Sequence, residues 1–112
     1  MNCNYQQVLG QLKIDSRIVL ATVIRSSGST PQKPGSSALF NEKGLLAGTV
    51  GGGSIEGEVQ LESISALATG VSDHYYYNLD KDQGGLEAIC GGDVVVLIDA
   101  KVFRNLMYML KY

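Results

Sequence analysis

Between residues 48 and 57 the chain reads Gly48, Thr49, Val50, Gly51, Gly52, Gly53, Ser54, Ile55, Glu56, Gly57. Three consecutive glycines join a strand-like segment to a helix-like one. Glycine loses more backbone freedom on folding than any other residue, so three in a row fit where the backbone turns tightly or meets another group closely. A Gly-rich turn that opens a helix also aims N–H groups at one spot, an arrangement that suits an anion.

Two nucleotide-binding patterns are tested by this run and excluded. A dinucleotide fingerprint needs glycines at i, i+2 and i+5; counted from Gly51, the third position is Glu56. A phosphate-binding loop needs a lysine after its second glycine. Gly52 and Gly57 have that spacing, but the next residue is Glu58.

A chain of 112 residues is sized for one domain, here residues 1–112, and needs neither disulfide nor metal to fold. Its apolar share is 45%, and a net charge of −2 is spread over interspersed acids and bases. With no basic patch, nucleic acid is not expected as a partner. The longest apolar run, residues 94–98, is too short to cross a bilayer. No signal-peptide pattern opens the chain, so the cytoplasm is the expected location and no membrane partner is expected. Cys3 and Cys90 make no disulfide framework, and the one histidine, His74, has no second ligand at zinc spacing.

Periodicity predicts a helix over residues 4–12, with Tyr5, Val8, Leu9 and Leu12 on one face. Residues 17–25 read as a strand buried on both faces. Residues 26–35, rich in Ser, Gly and Pro, read as a loop. Strands over 36–40 and 45–50 are joined by a hairpin turn at 41–44. A helix is predicted from Ser54, its N-cap, to Thr69, with Gly70 as its stop. Its apolar stripe is Ile55, Val59, Ile64, Leu67 and Ala68. A strand over 73–79 follows, then a polar loop over 80–87, a strong strand over 93–98 and a terminal helix over 101–110. Strands that do not alternate regularly with helices predict an α+β fold with a mixed β-sheet covered by helices. The strands of residues 17–25, 45–50 and 93–98 are expected in one sheet.

Three Gly-rich segments carry a family resemblance: residues 23–35, residues 48–56, and Cys90-Gly91-Gly92. Together they resemble the N-terminal domain of the XdhC/CoxI family, accessory factors of xanthine dehydrogenase and related molybdenum hydroxylases. The likeness runs over about residues 10–100. It implies a maturation factor, a cofactor-binding chaperone rather than an enzyme. Such a factor binds the molybdenum cofactor (molybdopterin) transiently, assists its sulfuration and delivers it to the apo-hydroxylase, with a sulfurtransferase as a further partner. Many members carry Cys directly after the triple glycine, where this chain has Ser54. Longer members continue into a Rossmann-like domain. A domain matching half of such a protein is expected to form a homodimer or bind a larger protein, with residues 107–110 as a candidate patch.

The candidate cofactor-binding residues are Arg25, Ser26, Thr30, Lys33, Gly51, Gly52, Gly53, Ser54, Glu56, Cys90, Gly91 and Gly92. The three glycines offer close backbone approach, Ser54 and Thr30 hydrogen bonds, and Arg25 and Lys33 charge to neutralise a phosphate. Glu56 and Glu58 would repel a phosphate, whereas the amide-like edge of a pterin suits Glu56. Cys90 offers a soft thiolate, or else a small buried hydrophobe. Of Tyr75, Tyr76 and Tyr77, only two can share a sheet face, and core or interface packing is their expected use. The three segments are expected to meet in one cleft. The alternatives are an interaction-only domain that docks or dimerises without cofactor, and an oxidoreductase component, which lacks any acid–base constellation.

Overall fold

The computed structural model describes residues 5–14, 17–28, 33–78 and 92–102. In chain order the elements are α1 (Tyr5–Ile14), β1 (Val19–Gly28), β2 (Ser37–Asn41), β3 (Gly44–Gly48), α2 (Gly53–Thr69), β4 (Asp73–Asn78) and β5 (Gly92–Asp99). The five strands form one sheet in the order β3-β2-β1-β5-β4. The α+β class and the shared sheet of the three apolar strands are as expected. The loop at 80–87 and the 107–110 patch lie outside the described residues. So does the terminal helix, apart from Lys101 and Val102.

The sheet differs from expectation in one respect: every pairing is antiparallel. A strand–helix–strand crossover ordinarily contributes the parallel pair of a mixed sheet. Here α2 joins β3 to β4, which point the same way but form opposite edges of the sheet. Three strands separate them, so they cannot pair.

Side-chain alternation sends the strands' apolar residues to two faces. Val19, Ala21, Val23, Ala38, Phe40, Val94, Val96 and Ile98 pack with Val50, Ile55, Val59 and Ala66 into the main core, beneath α2. On the other face Val8 of α1 packs with Ile18, Leu39 and Val102, flanked by Leu12, Leu20, Leu46 and Ala47. That smaller core covers the β2–β3 side. Towards β4 the same face leaves Ile24, Leu97 and Tyr76 exposed.

The buried stripe of α2 is Ile55, Val59, Ser63 and Ala66, whereas Ile64 is 37% exposed and Ala68 lies outward. The expected stripe misses Ser63 because its type is polar. Its hydroxyl donates to the Val59 carbonyl at 2.7 Å, which satisfies the group inside the core. Gly70 ends the helix in the left-handed region, φ 73°, its N–H bonded to the Ala66 carbonyl at 2.7 Å.

β1 also runs further than its composition suggests. Ser26, Ser27 and Gly28, read from sequence as loop, pair with Val94, Asp93 and Gly92. A long partner strand satisfies their backbone whatever their own propensity. A register shift between Val23 and Arg25 turns both Ile24 and Arg25 to the face away from α2.

Tyr75 and Tyr77 pack against the main core, and Tyr76 faces the other side. Burial pushes the Tyr77 phenol well above its ordinary range, reinforced by Glu62 and Glu58. Its hydroxyl is buried and has no hydrogen-bond partner among the described residues. Such a group costs about 1–3 kcal/mol. Tyr77→Phe is therefore expected to raise the stability measured by urea unfolding by about 1 kcal/mol, where replacing a useful hydroxyl would lower it.

Candidate functional site

The triple glycine forms a turn whose conformation requires it. Gly51, Gly52 and Gly53 have φ of 135°, 74° and 55°. Gly52 also has ψ −176°, a combination essentially confined to glycine. A Cβ built at Gly52 or Gly53 would meet nothing within 4 Å. Backbone conformation, not crowding within the chain, therefore demands glycine here, and the surface above these two residues is open.

The turn is held from inside by Glu56. Its Oε2 accepts from the Thr49 hydroxyl at 2.6 Å, from the Val50 N–H at 3.0 Å and from the Gly52 N–H at 3.0 Å. The Gly51 N–H donates to Thr49 Oγ1 at 3.0 Å. Three successive backbone donors thus end on one carboxylate and one hydroxyl. The helix starts at Gly53, with Gly52 as its N-cap and no side-chain cap. This corrects the expectation that Ser54 caps it: the reach-back of Glu56 takes over the role a cap would play. Ser54 is the second helical residue, and its side chain lies outside what is described.

Burial works to raise the Glu56 pKa. The hydrogen bonds from Thr49, Val50 and Gly52, with the neighbouring Gly51 N–H, outweigh it and hold the carboxyl below its usual range. The side chain of Glu56 is only partly buried. The anion cradle expected of the Gly-rich turn is therefore filled by the protein's own carboxylate. Being only partly buried, that carboxylate keeps acceptor capacity for an outside donor.

The other candidate residues are distributed unevenly. Ser26 lies opposite Val94, on the α2 side of the sheet. Arg25 lies on the opposite side, in a shallow depression of about 410 Å³ with Ile24, His74, Tyr76 and Val95. Arg25 therefore does not share a face with the glycine turn. The exposed Lys33 begins a turn in which its carbonyl accepts from the Ser36 N–H at 3.1 Å. That turn neighbours the glycine run, because the Thr49 N–H donates to the Ser37 carbonyl at 3.0 Å. Gly92 pairs with Gly28 at the far end of β1, five residues, or about 16 Å, beyond Val23. The structure thus brings together the 33–37 and 49–56 segments and sets Gly92 apart along the strands. Thr30, Cys90 and Gly91 lie outside the described residues, so the full three-way cleft is not described.

Thr49 is the site residue that sequence reasoning missed. A hydroxyl two residues before a turn glycine bonds its backbone, and a Glu in the first turn of a helix reaches back toward the N-terminus. Read together, Thr49 and Glu56 carry that signal. Among the described residues no group of three His, Cys, Asp or Glu could hold a metal, and no helix is long and apolar enough to cross a membrane.

Residues 12–78 match the XdhC and CoxI family. The chain belongs to this family. The match includes the Ser26 segment and the glycine turn, and it ends before Cys90-Gly91-Gly92. A protein of Bacillus subtilis (strain 168), described as a probable xanthine dehydrogenase subunit, is 40% identical over 65 residues, which is 57% of this chain and 19% of that protein. The crystal structure of a xanthine dehydrogenase from Bacillus halodurans resembles this XdhC/CoxI domain with a TM-score of 0.73 at 26% identity, over 85% of this chain and 30% of that one. The domain thus spans less than a third of the length of either relative.

Two glycine substitutions separate conformation from space. Gly52→Ala is expected to destabilise the XdhC/CoxI domain by about 1–3 kcal/mol through backbone strain alone. Gly57→Ala, in α2 with open space around it, is expected to stabilise it by about 0.5–1 kcal/mol. Urea unfolding of both variants checks the pair. Glu56→Gln adds a pH signature. A carboxyl whose folded pKa is depressed contributes stability fully above its ordinary value of 4.5 and loses it as pH falls through the folded value. The stability gap between wild type and Glu56→Gln is therefore expected to be flat near neutrality and to close below pH 4.5.

Proposed function

We propose that this domain acts in the maturation of a xanthine dehydrogenase-type molybdenum hydroxylase, by transiently binding a molybdopterin-type cofactor at the turn formed by residues 49–56. The observation that carries this reading is the open backbone surface over Gly52 and Gly53 beside the partly buried carboxylate of Glu56. A pterin presents amino and ring N–H donors, which suit a carboxylate oxygen. The phosphate of the same cofactor suits this turn poorly, since Glu56 already takes the Val50 and Gly52 donors and its charge repels a phosphate. The pterin end is accordingly assigned to Glu56, Gly52 and Gly53, with Ser26 on the same side of the sheet. Cys90 is assigned as the thiol for the dithiolene or metal end, because a thiolate is a soft ligand. The cofactor supplies the redox chemistry of the hydroxylase; this domain's part is to hold and transfer it. Support from relatives comes through the xanthine dehydrogenase names of the two similar proteins.

The filled anion cradle, together with Ser54 where many members carry Cys, favours a second reading. In it the domain docks on the hydroxylase or dimerises and binds no cofactor.

Gel filtration after incubation with isolated molybdenum cofactor distinguishes the two. Pterin fluorescence and molybdenum content are expected to co-elute with the wild-type chain. Gly53→Asn suits the test because Asn tolerates the left-handed region and its side chain would cover the open turn. It is expected to reduce co-elution at least about tenfold, or 1.4 kcal/mol, with an unchanged circular dichroism spectrum. Absence of co-elution with the wild type would favour the docking reading. Equal co-elution with both chains would place the cofactor elsewhere.

A further inference from the structure

The two edges of the sheet are unlike. β3 begins and ends in glycine, carries a register shift against β2, and has the Gln60 side chain against Gly44. Those features blunt an edge. β4 has none of them: its six residues contain no Pro, Gly or Lys, and its register with β5 runs without a shift from Asp73 to Asn78. The His74 N–H donates to Asp73 Oδ1 at 2.7 Å, so it points away from β5. By antiparallel alternation the main-chain groups of Tyr76 point the same way, and among the described residues β4 is the last strand of the sheet.

On the α2 side of the sheet the charge beside this edge has one sign, whereas Arg25 lies on the reverse face beside His74 and Tyr76. Residues 53–78 and 92–99 contain Glu56, Glu58, Glu62, Asp73, Asp93 and Asp99, and no Lys or Arg. Glu58 and Glu62 stand on the α2 side of β4, near the phenols of Tyr75 and Tyr77. On the other side Tyr76 is 62% exposed and Leu97 39% exposed. An added strand would therefore meet the carboxylates of Glu58 and Glu62 on one face and, on the other, Tyr76 and Leu97 bordered by Arg25, His74 and Asp93.

We propose that the outer edge of β4 is a strand-addition site for an extended segment of a partner protein that alternates basic and apolar residues. Main-chain bonds to Tyr76 supply the pairing, and Lys or Arg beside Glu58 and Glu62 supplies the selectivity. A second copy of this edge fits less well, since antiparallel pairing would set Glu58 and Glu62 beside the same carboxylates of the other copy. This site is independent of the glycine turn and of cofactor binding.

The test uses the full chain and fluorescein-labelled nine-residue peptides, read by fluorescence anisotropy at low salt. A peptide alternating Lys and Val is expected to bind and to shift the amide resonances of Asp73, His74, Tyr75, Tyr76 and Tyr77. A Glu–Val peptide, and a Lys–Val peptide N-methylated at alternate residues, are each expected to bind at least about tenfold more weakly. Glu58→Lys, an exposed substitution, is expected to weaken Lys–Val binding by a similar factor. Tyr76→Pro blocks the edge while sparing the ladder to β5, and is expected to abolish it. Three results would overturn the proposal: no Lys–Val binding up to about 1 mM, equal binding of the N-methylated peptide, or resonance shifts confined to residues away from β4. Sedimentation showing a wild-type dimer that Tyr76→Pro dissociates would also overturn it, in favour of a second copy on this edge.

Discussion

One carboxylate fixes the geometry at the start of α2. Glu56 gathers the Thr49 hydroxyl and the N–H groups of Val50 and Gly52 onto a single oxygen. Without it, three glycines would form a floppy joint, since each is free to visit many conformations. With it, the chain leaves β3 at the sheet edge, reverses, and lays Ile55, Val59 and Ala66 over the main core. The entry angle of the helix, and so the cover on that sheet face, rests on this group. The same contacts decide what the turn can recognise. The Val50, Gly51 and Gly52 donors that an incoming anion could use are satisfied internally, and a partly buried carboxylate stands beside bare backbone. The residues that looked like a phosphate cradle thus suit a ligand that donates hydrogen bonds.

The sheet separates the candidate residues by face. The glycine turn and Ser26 belong to the α2 side, whereas Arg25 and His74 share a depression on the reverse. A single residue at the β1 bulge is responsible: Ile24 is the extra position, and it moves Arg25 out of step with Val23. Charge is segregated as well. Lys13, Arg17, Arg25, Lys33 and Lys43 precede the glycine turn, and the described elements after it carry acids alone until Lys101.

Much of this was legible in the sequence, and what was not has physical causes. The β-branched runs placed β1 and β5 in one sheet, and Gly70 marked the end of α2 correctly. The 26–28 segment was hidden because Ser and Gly have low strand propensity, and only a distant partner, β5, makes them a strand. Ser63 was hidden because its hydroxyl is satisfied by the Val59 carbonyl one turn earlier. The triple glycine was recognised as special, but its cause lay in side chains on either side of it. Thr49 and Glu56 are seven residues apart, and no local periodicity links them. Arg25 was misplaced because a bulge changes which face a residue occupies, and bulges leave no clear mark in one sequence.

The most direct test is a carboxyl-detected NMR titration of Glu56, followed together with the amide protons of Val50 and Gly52. A carboxylate fastened by these donors titrates below its usual range, and both amide resonances move with the same midpoint as the carboxyl. A Glu56 that titrates at its ordinary value, with the Val50 and Gly52 amides unresponsive, would contradict the account. The turn would then be open to an anion, and its glycines would need another explanation.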